Sequence, residues 1–313
     1  MDTPQHRSAT ADLPALGFVG LGHMGGAMAD RLLDAGYAVY GMTRTRDRAE
    51  ALEDRGLRWL ETPRRVAEAA DIILTSLPND DAVNAVAAGT NGLLAGLATG
   101  KVWVDLSTIS LSASRELSAQ VVAHGATMLD APVSGSVPQV QAGTLTIMVG
   151  GGDRGYERTE PILRELGTPT HVGSNGQGLA LKLAINISLA AQMLALAEGL
   201  LLAERSGVDR KLALELMIQS PIGSPMLKAR APLVLDLPED AWFDISLLQK
   251  DIELAIDTGR MVKVPLPAAS GAAEVLTIAR DLGYEHRDIA ALYEVLRQVA
   301  ASARGTPDGP PSE

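Results

Sequence analysis

Residues 16–46 read LGFVGLGHMGGAMADRLLDAGYAVYGMTRTR, and their order decides the fold. A short apolar run ends in Gly20-Leu21-Gly22-His23-Met24-Gly25, small and apolar residues alternate as far as Ala35-Gly36, and a second run covers Tyr37 to Met42. That is strand, glycine turn, helix, strand. In this setting Gly20 makes the tight turn, Gly22 lets backbone approach a pyrophosphate, and Gly25 lets the helix pack on the strand. The pyrophosphate then rests on the helix N-terminus, where unpaired N–H groups and the helix dipole favour an anion. Leu21, His23 and Met24 belong to the same cofactor-binding turn. The alternative is a flavin-type or degenerate unit of the same fold that binds no nicotinamide.

The end of the second strand bears on which dinucleotide is held. An NAD site places Asp or Glu there for the ribose 2′-hydroxyl, whereas an NADP site offers arginine to the 2′-phosphate. This chain has Thr43-Arg44-Thr45-Arg46, so NADP(H) is the preferred reading and NAD(H) a possible one. Arg44 can contact phosphate with two N–H groups and stack on adenine, and Thr45 adds a hydroxyl. The competing readings are solvated surface arginines, or Asp47 still serving as the acid.

At 313 residues the chain is long enough for two domains with separate cores. A net charge of −11 argues against nucleic acid, which calls for a basic stripe. There is no cysteine, which excludes disulfides and thiolate chemistry. The five histidines, His6, His23, His124, His171 and His286, lack ligand spacing, so no metal is expected. The polar N-terminus has no apolar core of a secretory signal, and cytoplasmic residence is the expectation.

Along the chain, a helix is expected over 47–55, a strand near 57–60, and apolar strands in 71–78, 101–108 and 128–136, with a β-branched strand at 144–149. Five or six strands alternating with helices give a doubly wound α/β sheet of the Rossmann type. Leu77-Pro78 lies beside the glycine turn if the sheet is parallel; alternatively it only stops a strand. The domains expected are a disordered tail at 1–14, a dinucleotide-binding domain at 15–175, an all-helical substrate and oligomerisation domain at 176–304, and a second tail at 305–313. The latter domain opens with a long connecting helix, Gly178 to Glu204, followed by helices broken by Pro221, Pro225, Pro232, Pro238, Pro265 and Pro267.

That long helix is apolar enough to suggest a membrane span, but Lys182, Asn186, Gln192 and Glu198 speak against one. A helix apolar nearly all round is buried in protein, which points to a homodimer or homotetramer. Lys182 stands just behind Gly176-Gln177-Gly178, with Leu179, Leu181 and Leu183 around it. Desolvation by such neighbours favours the neutral amine and suits it to proton transfer. Asn186, four residues on, shares its helix face.

Several separate motifs, in order, are similar to the β-hydroxyacid dehydrogenase family, which includes 3-hydroxyisobutyrate dehydrogenases and 2-hydroxy-3-oxopropionate reductases. They are GFVGLGHMG, Leu77-Pro78, Asp105-Leu106-Ser107-Thr108, DAPVSGS followed by GTLTIMVGG, the Gly176-x-Gly178-x-x-x-Lys182-x-x-x-Asn186 run, and Lys250-Asp251. The resemblance spans about Leu16 to Ala303. It implies hydride transfer between nicotinamide and a small β-hydroxy acid or aldehyde acid. It further implies that Lys182 is the acid/base, that Asn186 orients it and the substrate oxygen, and that Ser134, Gly135 and the backbone amide of Ser136 hold the substrate carboxylate. Thr108 and Lys250 would contact the cofactor. Ser136 departs from the family's second glycine and Ile185 from its first asparagine, which leaves the substrate open. The rivals are an imine reductase of the same fold, disfavoured by Lys182, and a non-catalytic cofactor-binding scaffold.

Overall fold

The computed structural model describes residues 13–302. The tails expected at 1–14 and 305–313 lie outside them, apart from Leu13 and Pro14. The chain divides into two compact units, Met1–Lys182 and Leu183–Glu313.

In the first unit the elements run β1 (Leu16–Val19), α1 (His23–Asp34), β2 (Val39–Met42), α2 (Asp47–Glu53), β3 (Arg58–Trp59), α3 (Pro63–Ala69), β4 (Ile72–Thr75), α4 (Asp80–Ala87) and α5 (Leu93–Gly96). They continue with β5 (Val102–Asp105), α6 (Leu111–Ala123), β6 (Thr127–Asp130), β7 (Val133–Ser134), α7 (Val137–Ala142), β8 (Leu145–Gly150), α8 (Asp153–Leu166) and β9 (Gly167–Gly173). Among the described residues the sheet has nine strands, in the order β3-β2-β1-β4-β5-β6-β8-β7 with β9 against β8. The first six of that order are parallel neighbours, the order of a dinucleotide-binding sheet. The expectation of five or six strands fell short because the 128–136 stretch folds as β6, a turn and the two-residue β7, and because β9 follows a helix directly.

The β1 and β4 residues are buried throughout, as a strand covered on both faces requires. Leu16, Phe18, Ile72 and Leu74 join Met28 and Leu32 of α1 in one core, each full burial contributing about 2 kcal/mol. Side chains cap the starts of several helices in this unit, among them Thr62 for α3, Asn79 for α4 and Ser110 for α6.

The unit boundary falls inside α9 (Gln177–Arg205), where the sequence placed it just before the helix. There follow α10 (Arg210–Gln219), α11 (Pro225–Leu235), α12 (Ile245–Val262), α13 (Pro267–Asp281), a 3-10 turn at Ile289–Ala291 and α14 (Leu292–Ser302). Pro225 and Pro267 occupy first helical positions, where a missing N–H costs nothing. Pro232 does not break its helix as expected: it lies inside α11, whose flanking residues carry the turn past the lost bond. Ala190, Met193, Ala197 and Leu200 of α9 pack with Leu248 and Ile252 of α12 and with Tyr293. Arg230 and Asp288 form a buried ion pair, and the same carboxylate accepts the Trp242 and Phe243 amides at 2.9 and 3.2 Å. The helix α9 is not buried all round: Leu202 is 71% exposed, because only the stripe at three- and four-residue spacing meets the core.

Candidate active site

The glycine turn joins the carboxyl end of β1 to α1. Gly20 has φ +97°, and a Cβ there would stand 2.3 Å from the Ser76 carbonyl oxygen. At Gly25 a Cβ would stand 1.9 Å from the Gly20 oxygen. Both glycines are therefore required by the protein itself. Gly22 is different: the nearest atom to its Cβ position is Arg48 Nη1 at 3.8 Å, so protein packing alone would accept a side chain. A glycine there leaves backbone open to a ligand, and α1 begins without a side-chain cap and with no acid in its first turn. These features fit a dinucleotide pyrophosphate. His23 is the first residue of α1 and exposed, Met24 is half-buried and Leu21 is buried.

Arg44 and Thr45 are exposed just past β2. Arg46 is engaged elsewhere, its guanidinium 4.6 Å from the Trp59 ring centroid and paired with Glu53. Arg48, which the sequence reading did not single out, is the arginine nearest Gly22; its place as the second residue of α2 gave no signal. Leu77 lies against the turn, its Cδ2 2.9 Å from the Gly20 Cβ position, and its amide donates to Ser107 Oγ at 2.9 Å. Pro78 is exposed and precedes Asn79, the cap of α4, so the Leu-Pro pair both ends β4 and borders the turn. Thr108 is half-buried after β5.

Ser134 is the last residue of β7, and Gly135 has φ +135°, a backbone conformation open to glycine. Ser136 caps α7, and its amide donates to Gln139 Oε1 at 2.8 Å. The serine that departs from the family pattern is thus accounted for locally, as one half of a Ser-x-x-Gln capping pair. An anion taking this amide has to displace Gln139.

Lys182 and Asn186 lie four residues apart on α9. Lys182 is half-buried; Leu179 and Leu183 are buried, but Leu181 is 42% exposed. The apolar sleeve expected around the amine is open on that side, since consecutive helical residues face different directions. Asn186 is wholly buried. Its Nδ2 donates to Asp251 Oδ2 at 2.6 Å, while its Oδ1 has no hydrogen-bond partner among the described residues. Lys250 Nζ is 2.7 Å from Asp251 Oδ1. The second unit therefore brings Asn186 and Lys250 together on Asp251, a residue quoted in the sequence motif but given no role. Its 65-residue separation from Asn186 hides that role from local pattern.

His124 bonds Gln120 and His171 stacks on Tyr156; His23 and His286 are exposed, and His6 lies outside the described residues. Among the described residues no three His, Cys, Asp or Glu side chains could share a metal ion.

Six parallel strands in this order with a ligand-open glycine turn at their carboxyl edge define a dinucleotide-binding domain. Residues 15–175 match the NAD binding domain of 6-phosphogluconate dehydrogenase, and 176–296 match the NAD-binding domain of NADP-dependent 3-hydroxyisobutyrate dehydrogenase. Among relatives, glyoxylate/succinic semialdehyde reductase 2 of Arabidopsis thaliana is 32% identical, covering 96% of this chain and 84% of its own. The 2-(hydroxymethyl)glutarate dehydrogenase of Eubacterium barkeri is 35% identical over 91% of this chain and 95% of its own. The solved structure of Psf3 in complex with NADP+ and 2-OPP superposes with a TM-score of 0.83 at 27% identity, over 90% of this chain and all of the other. The chain belongs to the β-hydroxyacid dehydrogenase family and is an NAD(P)-dependent oxidoreductase.

Proposed function

We propose that this enzyme interconverts a small aldehyde acid and the matching hydroxy acid, prefers NADP(H), and uses Lys182 as general acid/base. The observation that carries the reading is the state of Asn186. A buried amide oxygen left without a donor costs roughly 1–3 kcal/mol, and a fold keeps such a cost where a ligand supplies the missing bond. Asp251 fixes the amide's donor side, so its oxygen is held ready for an ammonium or hydroxyl on the face that Asn186 shares with Lys182.

When bound, the nicotinamide supplies or accepts the hydride. Lys182, protonated, gives its proton to the oxygen developing negative charge; neutral, it removes the proton of a hydroxyl. Ser134, Gly135 and Ser136 hold the substrate carboxylate, and Thr108 and Lys250 contact the cofactor. For cofactor choice, the support is Arg44 and Thr45 exposed past β2, with Arg46 occupied by Trp59 and Glu53. The exposed Leu202 on α9 supports assembly into a homodimer or homotetramer.

The test is consumption of NADPH and NADH by the purified protein with glyoxylate, succinic semialdehyde and tartronate semialdehyde. Oxidation of NADPH by one of them supports the reading. No turnover with any, despite tight NADPH binding, overturns it.

A further inference from the structure

Asp130 closes β6 with its side chain wholly buried. Its Oδ1 accepts the Gly176 amide at 2.7 Å and its Oδ2 the Leu179 amide at 2.9 Å. Gly176 is the residue before α9 and Leu179 is in its first turn, so one carboxylate takes two of the helix's unpaired donors. Lys182 lies three residues beyond Leu179 on the same helix.

The backbone around this carboxylate is shaped to admit it. A Cβ at Gly150 would stand 2.5 Å from Oδ1, and a Cβ at Gly178 would stand 2.8 Å from Oδ2 and 2.3 Å from the Met148 oxygen. At Gly176, φ is +89° and a Cβ would stand 2.9 Å from Arg115 Nε. Three glycines drawn from two separate motifs thus surround one aspartate from a third.

A cheaper cap is available to any helix: a Ser, Thr, Asn or Asp at its own N-cap, as at Thr62, Asn79, Ser110 and Asp209. At α9 the N-cap position is Gly176 and the acceptor comes from the sheet. A local cap stabilises a helix end but leaves it free to shift; a cap delivered by β6 ties the first turn of α9 to the edge of the strand itself. We propose that Asp130 is a positioning residue, fixing the axial position and rotation of the first turns of α9 so that Lys182 meets its substrate oxygen. This rests on the reading of Lys182 as acid/base.

Among the titratable groups on the elements around Asp130 are Asp105, its register partner on β5, Arg115 of α6 beside Gly176, Lys182 of α9 itself, Asp153 at the start of α8, and His171 of β9, whose Nε2 is 2.7 Å from the Gly151 oxygen. Burial first, then the Asp105 charge, raise the carboxyl to about 6. Protonation removes one acceptor from the pair of amides.

The experiment compares the full chain with its Asp130→Asn and Lys182→Ala variants, using NADPH and succinic semialdehyde as probes, with amide hydrogen exchange of residues 176–182 as a second readout. Asp130→Asn is expected to lower kcat about a hundredfold, the scale of a small misplacement, with NADPH affinity within about twofold and faster exchange at Gly176 or Leu179. In the unaltered protein kcat should fall as pH drops through about 6, a limb the variant lacks. That profile is available even if the variant does not fold. Unchanged kcat or unchanged exchange in Asp130→Asn, or a flat wild-type profile between about pH 5 and 7, overturns the positioning role while a dead Lys182→Ala still upholds the acid/base. Near-normal turnover by Lys182→Ala overturns the acid/base reading itself.

Discussion

Asn186 Nδ2 lies 2.6 Å from Asp251 Oδ2, and both side chains are buried. If Asp251 serves Asn186, the two act as one device and their losses do not add. Asn186→Ala and Asp251→Ala should each lower kcat/KM about tenfold or more, and the double variant should be no worse than the poorer single. The coupling expected is of order 1–3 kcal/mol. Strict additivity in the cycle would separate Asp251 from the site and leave it as the partner of Lys250.

Lys182→Ala removes the proposed proton donor without touching the glycine turn. General acid/base groups contribute about 10²–10⁴ in rate, so kcat should fall by that factor while NADPH affinity, read by fluorescence, stays within about twofold. A comparable loss of NADPH affinity would instead make Lys182 a cofactor ligand.

Arg44→Ala tests the proposed preference for NADP(H). A hydrogen bond to a charged group is worth roughly 1.5–3 kcal/mol, so NADPH should weaken about ten- to a hundredfold and NADH little. Equal weakening of both would assign Arg44 a structural part. Arg48→Ala is the informative companion, since it stands nearer Gly22 and should weaken both cofactors alike.

The parallel half of the sheet was legible because each of its strands is a short apolar run between a glycine or proline turn and a helical pattern; LGFV, IILT and VWVD declare themselves. The mixed edge was not. β7 has two residues and β9 begins at Gly167, directly after α8, so neither carries an alternating pattern of its own. At the site, Lys182 and Asn186 were legible because polar residues at helical spacing stand out in an apolar helix. Asp130 and Asp251 were written in the same motifs, but their partners are 46 to 65 residues away. A carboxylate that holds backbone amides leaves no trace in the spacing of its own neighbours. Ser136 read as a departure at an anion site, where its local role is to cap α7 with Gln139.

The buried carboxylates of β5 and β6 predict a pH dependence of stability opposite to that of a salt-bridged acid. Asp105 shares its Oδ1 among Thr75 Oγ at 2.7 Å and the Ser107 amide at 3.2 Å, while Oδ2 has no partner among the described residues. Its pKa is raised, by burial above all. Asp130 is raised from 3.8 to about 6, again chiefly by burial. A raised carboxyl binds its proton more tightly in the folded state. Its favourable contribution is therefore complete below the unfolded value near 4 and is lost as pH rises through about 6. For Asp130 that difference in proton affinity between the folded and unfolded chain amounts to roughly 3 kcal/mol. Asp130→Asn is neutral at every pH, so the difference in unfolding free energy between wild type and variant isolates the carboxyl from all other groups. That difference should move against the wild type by about 2 kcal/mol between pH 4 and pH 7, measured by urea unfolding at each pH. A difference that stays constant across this range would mean that Asp130 ionises as readily in the folded chain as in the unfolded one.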